Sequence, residues 1–597
     1  MGFIYFLTYN DFSICGNKIF SYTRNTKTTW KNGHFQSMTC LRRREESVPA
    51  PHGPNQDLIV WATHRPVQAK YLDPRKRKRG GNDVNDVFTA VNDLFAVAVD
   101  ISNFLWNFPT QFAWFSSIPV IGQFTLPVFL LVGIGVYFSI RTRFVQLRFF
   151  TRGVKVLFKK KAEEHTGISP MASFMLSTAM RVGAGNIVGV TGAISTGGPG
   201  ALFWMWVAAF FGMATSFIES TLSQLFKEKE GNEYVGGLTH YAQRIFGNLR
   251  IVGIVIAVLF FIYRLDSVPV HTFHLFTAAA SMATSITGEV YSTQSPLYYA
   301  LAVVIVVSLG FILFGGMSRV TKVTDKMVPV MAVGYLVLVM ILVVCNVTSI
   351  PAFFASVIGG AFKPDAIFGG MFGIALIQGI KRGLLSNEAG MGTATMAAAV
   401  ADNDHPVEQG FIQVFSVFID TIIICTLTGF VVCMAALWAD PSVDWATLSN
   451  VKIDIFLQSI EKLMPGNTFL DNIAVLFASL AYGLFGFTTL LGGIVFCEIS
   501  ATKITGNPKI RYVVRFLGAF VFCPIGCITV ISGLQLDNLW GISDLNNVVF
   551  VFINVITIFV GAKYAFAALK DYVQTEGAPF TEDRIGLSGT VWTKDRK

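Results

Sequence analysis

The residues that could do chemistry in this chain are concentrated in two apolar runs. Arg181-Val-Gly-Ala-Gly-Asn186 interrupts one run, and Arg264, Asp266, His271 and His274 fall within eleven residues of another. A charge or an amide inside an apolar segment is costly unless it has a partner or a task. Gly183 and Gly185 remove the side chains that shield a helical backbone and so allow it to open. An opened helix offers amide donors on one half and carbonyl acceptors on the other, the first suited to a carboxylate and the second to a bare cation. The plainer alternative is close helix packing, which suits Gly189 and Gly192 but accounts poorly for Arg181 and Asn186. For the second cluster the alternative is a self-satisfied polar network, Arg264 with Asp266 or Glu219, that only braces helices.

These residues must be positioned by membrane helices. The chain has 597 residues, 53% of them hydrophobic and 14% charged, where soluble domains carry about 25% charged residues. This is the composition of an all-α polytopic membrane protein. Eleven apolar runs approach the length of about 20 residues that a spanning helix needs: 120–140, 172–196, 199–226, 251–281, 296–314, 327–346, 352–380, 410–438, 470–500, 512–534 and 545–569. Loop 141–161 carries eight Lys/Arg, which assigns it to the cytoplasm. Alternating from there, loops 227–250, 316–326, 381–409 and 501–515 fall inside with 4, 3, 2 and 4 Lys/Arg, while 282–295, 347–351 and 535–544 fall outside with none. The N-terminus is then external and the C-terminus, with tail 571–597, cytoplasmic. Glu388 and Asp325 fall at inner ends, where Lys381, Arg382 or Lys322 could pair with them as a gate. Asp420 lies deeper, ten residues into its span.

The first 83 residues read differently, with 14 Lys/Arg against 6 Asp/Glu. Their run Pro74-Arg-Lys-Arg-Lys-Arg-Gly-Gly81 resembles a nucleic-acid or anionic-lipid patch, but the segment opposes the predicted orientation. We expect a disordered basic leader or a misassigned start, with Val84 as initiator, since no Met lies between Met38 and Met171; no nucleic-acid partner is expected. Eight cysteines show no CxxC pair, and Cys523-Pro-Ile-Gly-Cys527 reads as small residues in a helix. No GxSxG, HExxH or paired-aspartate motif occurs, so an enzyme is not expected.

Four stretches then identify a resemblance: Gly197-GPGALFWMWVAAFF-Gly212, Gly315-GMSRVTKVTDKMVPV-Met331, Lys381-RGLLSNEAGMGTATMAAAVADNDHPVEQG-Phe411 and Val417-FIDTIIIC-Thr426. They closely resemble the signatures of the sodium:alanine (alanine or glycine:cation) symporter family, in family order from about 120 to 570. The resemblance implies a sodium-coupled symporter of a small neutral amino acid, alanine or glycine, in a bacterial-type inner membrane. No cofactor beyond the sodium ion is implied, and the oligomeric state stays open. It also implies a leucine-transporter-like fold: one extra helix (120–140), then a 5+5 inverted repeat (172–346 and 352–569) with broken first helices, all within 84–570. The substrate carboxylate would sit at Gly183, Ala184, Gly185 and Asn186. Sodium would be held by the carbonyls of Ala179 and Val182 and the hydroxyls of Thr488 and Thr489, the neutral oxygens a hard cation needs. The alternative for the threonines is bonding back to their own helix. Asn186 could also help coordinate a cation or hold the unwound backbone open.

One region departs from the family. By position His271 replaces a glutamine and Phe273 an asparagine expected near the substrate. Arg181, Arg264, Asp266, Glu388 and Asp420 are the candidates for gating or coupling. Symport of a different amino acid, coupling to protons, and a non-transporting membrane sensor are the alternative functions.

Overall fold

The computed structural model describes residues 8–15, 18–31, 34–40 and 96–594, apart from 119–120, 160–166, 232, 290, 293, 363–370, 437–450, 467 and 533–536. It divides into two units at Arg79/Gly80. In the first unit, where no regular structure is expected from composition, Thr8–Cys15, Lys18–Lys31 and His34–Cys40 form an antiparallel sheet in sequence order. Cys15 pairs with Lys18 and Lys31 with His34 across its two turns. The basic run 74–81 and Val84 lie outside the described residues.

The second unit is helical. The helices that build the site are α1 (Leu126–Arg141), α2 (Pro170–Arg181), α3 (Val190–Gly197), α4 (Gly200–Leu225) and α5 (Arg250–Thr287). They are followed by α6 (Met371–Asn387), α7 (Thr395–Ala399), α8 (Pro406–Val417), α9 (Thr468–Thr505) and α10 (Asp537–Gln574). Among the described residues, eight helices are long and apolar enough to cross a membrane. Their outward faces expose large apolar side chains such as Val303, Val307, Phe311, Val344 and Phe559; such a surface is stable against lipid rather than water. The protein is therefore a multi-pass membrane protein.

The remaining expected spans are shorter or interrupted. α1 is a short apolar helix. The run 172–196 is two helices, α2 and α3, joined by a non-helical stretch and a π turn at Gly185–Gly189. α5, in contrast, stays helical through Pro269.

The run 352–380 is not one span. Ile350–Phe362 is a separate short helix, and Gly360 lies against Gly200, at the start of α4. The chain that crosses beside α4 is α6 with α7. Gly379 packs on Ala201, Gly383 on Met205, and the Ser223 hydroxyl reaches the Thr395 carbonyl (2.6 Å). Segment 379–395 thus runs parallel to α4 over most of its length, and residues 381–399, expected in a loop, lie inside the bundle. The apolar count of 352–380 is continuous, whereas Lys381 and Glu388 find partners only in the folded protein.

The tail 571–597 is ordered through its described part. Trp592 is fully buried and its indole N–H donates to the Gln224 carbonyl (2.8 Å). Lys227 Nζ lies 5.0 Å from its ring centroid, and the Phe580 amide donates to the Asp404 carbonyl (2.9 Å). The tail therefore clamps the end of α4 to the start of α8. Trp592→Ala should lower stability by about 3–5 kcal/mol, read as a fall in melting temperature of the detergent-solubilised protein.

Candidate functional site

The first break begins with an ordinary helix start. Ser169 caps α2 by accepting from the Ala172 amide (3.1 Å), and Pro170 occupies the first helical position. The helix ends at Arg181, and Val182 leaves it with ψ 85°. The freed Gly183 amide is taken by Asn186 Oδ1 (3.0 Å). Asn186 Nδ2 in turn donates to Asp420 Oδ1 (2.6 Å) and Ser386 Oγ (3.1 Å), while Ser386 Oγ and Thr421 Oγ1 donate to Asp420 Oδ2 (2.5 and 2.7 Å). Of the two roles open to Asn186, the geometry supports holding the break open. Asp420, on the π turn Phe418–Cys425 that continues α8, is the buried acceptor of this hub.

Part of the expected cation site assembles beside the break. Thr489 Oγ1 lies 3.3 Å from the Ala179 carbonyl. A Cβ added at Gly183 would stand 2.7 Å from the same hydroxyl, so only glycine lets the backbone approach this closely. Val182 is buried at the break. Thr488 turns elsewhere, to the Phe485 carbonyl (3.2 Å) and Met331 Sδ (3.7 Å). Both hydroxyls bond back to Phe485, Thr489 at 2.9 Å, so back-bonding and facing the break coexist in Thr489.

A second break follows α6. Glu388 adopts φ +54°, and Gly390 and Gly392 adopt +88° and +75°. For a glutamate this left-handed conformation costs roughly 1–3 kcal/mol. The amides of Gly390 and Gly392 both donate to Glu219 Oε2 (3.2 Å each), which also accepts from Asn554 Nδ2 (2.9 Å). Arg181 ties the two breaks together: its Nε donates to the Asn387 carbonyl (2.7 Å), one terminal nitrogen to Ser216 Oγ (3.0 Å) and the other to Gln413 Oε1. Sequence reasoning missed Ser386, Asn387 and Gln413 and gave Glu219 a different partner, Arg264. The available signal was Gly390-Met-Gly392, which repeats the spacing of Gly183-Ala-Gly185.

The ion pairs differ from those expected. Glu388 is buried and meets Arg264 at 3.3 Å rather than Lys381 or Arg382. Lys381 pairs with Asp544 (2.5 Å). Asp266 is bonded by Asn546 (2.9 Å) rather than Arg264, and Glu219 serves the second break. Asp325 and Lys322 line another cavity altogether.

Between the breaks lies a cavity of about 180 Å³, lined by Arg181, Gly185, Arg264, His271, Ser386, Glu388 and Thr489 and reaching Asp544 and Asn547. His271 faces it with Nδ1 buried and unbonded. Phe273 is buried and, like Gly183 and Ala184, does not line it; two residues along a helix turn a side chain to another face. A second cavity of about 420 Å³ is lined by Ile168, Leu176, Tyr234, Asp325 and Glu498. Leu176 and Met180, one turn apart on α2, line the second and the first cavity respectively.

A family model described as the sodium:alanine symporter family matches residues 112–583. "Amino-acid carrier protein AlsT" of Bacillus subtilis (strain 168) is 34% identical over 472 residues, 79% of this chain and 92% of that protein. "Sodium/alanine symporter AgcS" of Methanococcus maripaludis is 31% identical over 438 residues, 70% of this chain and 91% of that protein. "Probable sodium/glutamine symporter GlnT" of Bacillus subtilis (strain 168) is 35% identical over 454 residues, 76% and 89% respectively.

The hub makes a prediction independent of activity. Asp420→Ala strips Asn186, Ser386 and Thr421 of their shared acceptor, and each buried donor left unmet costs about 1–3 kcal/mol. The variant should melt well below the wild type in detergent, whereas Thr421→Val, which removes one donor and keeps the acceptor, should melt close to it.

Proposed function

The chain belongs to the sodium:alanine symporter family and is a sodium-coupled amino-acid symporter, and on that premise we propose that it carries a small amino acid by alternating access around the cavity between the two breaks. The observation that carries this reading is the pair of cavities lined one turn apart on α2, by Leu176 and by Met180. A turn is about 5.4 Å of helix, so a modest shift of α2 against α9 suffices to close one cavity and open the other.

The first cavity is smaller than the roughly 300–1,000 Å³ typical of drug-sized ligand sites, which favours a small substrate. Alanine or glycine is the family's usual cargo, and glutamine appears in one relative's name. Sodium is assigned to the oxygens of Ala179, Val182 and Thr489, where the neutral oxygens of the break face a hydroxyl. Thr488 is assigned a lesser part because its hydroxyl faces Met331. Residues Gly183–Asn186 then shape the site through their backbone, with Asn186 as its internal support. Charged loops favour a cytoplasmic C-terminus in a bacterial-type inner membrane.

Counterflow in proteoliposomes, over a panel of amino acids with and without a sodium gradient, tests the reading. Sodium-stimulated exchange of at least one small amino acid is expected, and its absence across the panel would refute it. Thr489→Ala should abolish the sodium stimulation while Thr488→Ala retains most of it. Equal loss in the two variants would return the site to a symmetric threonine pair.

A further inference from the structure

Among the described residues, two buried arginine–glutamate pairs are built in opposite ways. Arg515 grips Glu498 with two parallel bonds, Nε to Oε1 at 2.8 Å and a terminal nitrogen to Oε2 at 2.7 Å. This fork-to-fork geometry is the strong form of the pair. Arg264 touches Glu388 through a single terminal nitrogen at 3.3 Å, and its Nε is buried without any hydrogen-bond partner. The same guanidinium lies against aromatic faces, 4.7 Å from the Tyr263 ring centroid and 5.7 Å from that of Phe496. Both members of the open pair line the cavity between the breaks. Both are nearly inaccessible, with Arg264 2% and Glu388 6% exposed.

A buried pair with one long contact and an unmet donor does not recover the desolvation of its two charges. The chain also holds Glu388, which lines this cavity, in a left-handed conformation, φ +54°. Its other oxygen, Oε2, accepts from Thr393 (2.7 Å), so the carboxylate is anchored on one side and loosely paired on the other. The other charged groups lining the cavity do not compensate Arg264. Asp544 is taken by Lys381, and Arg382 adds a further cation whose Nε is buried and unbonded. The cavity thus presents an excess of donors and one carboxylate available on its open side.

Resting on the symporter reading above, we propose that the Arg264–Glu388 pair is the device that recognises both charged ends of a zwitterionic amino acid, which enters by separating it. The substrate carboxylate takes the guanidinium of Arg264, whose unmet Nε makes a two-point contact possible, and the substrate ammonium takes Glu388. The exchange replaces one poor ion pair with two better ones and changes no net charge at membrane depth. Sodium at Thr489, which lines the same cavity, is then the one charge added on loading. The Gly183 amide is already held by Asn186, so a guanidinium also supplies the carboxylate donor that this part of the break does not. Specificity follows for substrates with a free amine and a free carboxylate.

The test uses the full chain in proteoliposomes, with L-alanine, glycine, L-serine and L-glutamine as counterflow substrates and alaninamide and propionate as competitors. Arg264→Gln with Glu388→Gln together removes both charges at nearly constant volume and avoids stranding either one. This double variant should insert and keep its melting temperature within a few degrees. Its KM should rise by at least the roughly 10- to 150-fold expected from losing one charge-assisted hydrogen bond. Discrimination of L-alanine from alaninamide and from propionate should fall by a similar factor, and Arg264→Lys should restore part of it. A structural brace would not move that discrimination. Unchanged KM and unchanged discrimination in the double variant overturn the proposal while leaving the symporter reading intact. A wild-type protein that neither exchanges any of the four amino acids nor is thermally stabilised by them in detergent overturns both.

Discussion

Backbone polar groups at hydrocarbon depth must be bonded within the protein, because lipid offers them nothing. The chain opens its backbone at two points inside the bundle, and nearly everything distinctive about its interior repairs the consequences. The Gly183 amide is met by Asn186, the Gly390 and Gly392 amides by Glu219, and the Asn387 carbonyl by Arg181. Each repair is a side chain that must itself be satisfied. Asp420, Ser386, Asn554 and Gln413 form the next layer for that reason, and they come from helices far apart in sequence.

This arrangement couples the breaks to their surroundings. Arg181 spans α2, α4, α6 and α8 in one set of bonds, and Asn186 reaches α6 and the π turn after α8. A helix tied through side chains can shift as a unit, since the bonds turn with rotamers where a backbone ladder would have to break. The π turns at Gly185–Gly189 and Phe418–Cys425 add slack beside these bonds; such bulges occur frequently at functional sites. Pairing is closed elsewhere, as in Arg515–Glu498 and the clamp of Trp592 on α4.

The cavities follow from where repair stops. Arg264, Arg382 and His271 keep nitrogen atoms unmet beside the breaks, and buried polar atoms are rarely left so without a task. All three line a single space of about 180 Å³, next to the hub in which Asp420 is surrounded by donors.

Composition by itself determined the membrane class. The G-x-G spacing of Gly183 and Gly185 located the first break because glycine's freedom is a local property of the chain. The depth of Asp420 was likewise legible from its distance into an apolar run. Tertiary structure alone decided the second break, since apolar counting ended a span at 380 and left Glu388, Gly390 and Gly392 in a loop. Hydropathy sums residues without asking what they meet: Lys381 and Glu388 look like loop residues until Asp544 and Arg264 arrive from helices more than a hundred residues away in sequence. The division of labour between Thr488 and Thr489 was equally hidden, because adjacent residues on a helix point about 100° apart and only packing shows which of them faces the break.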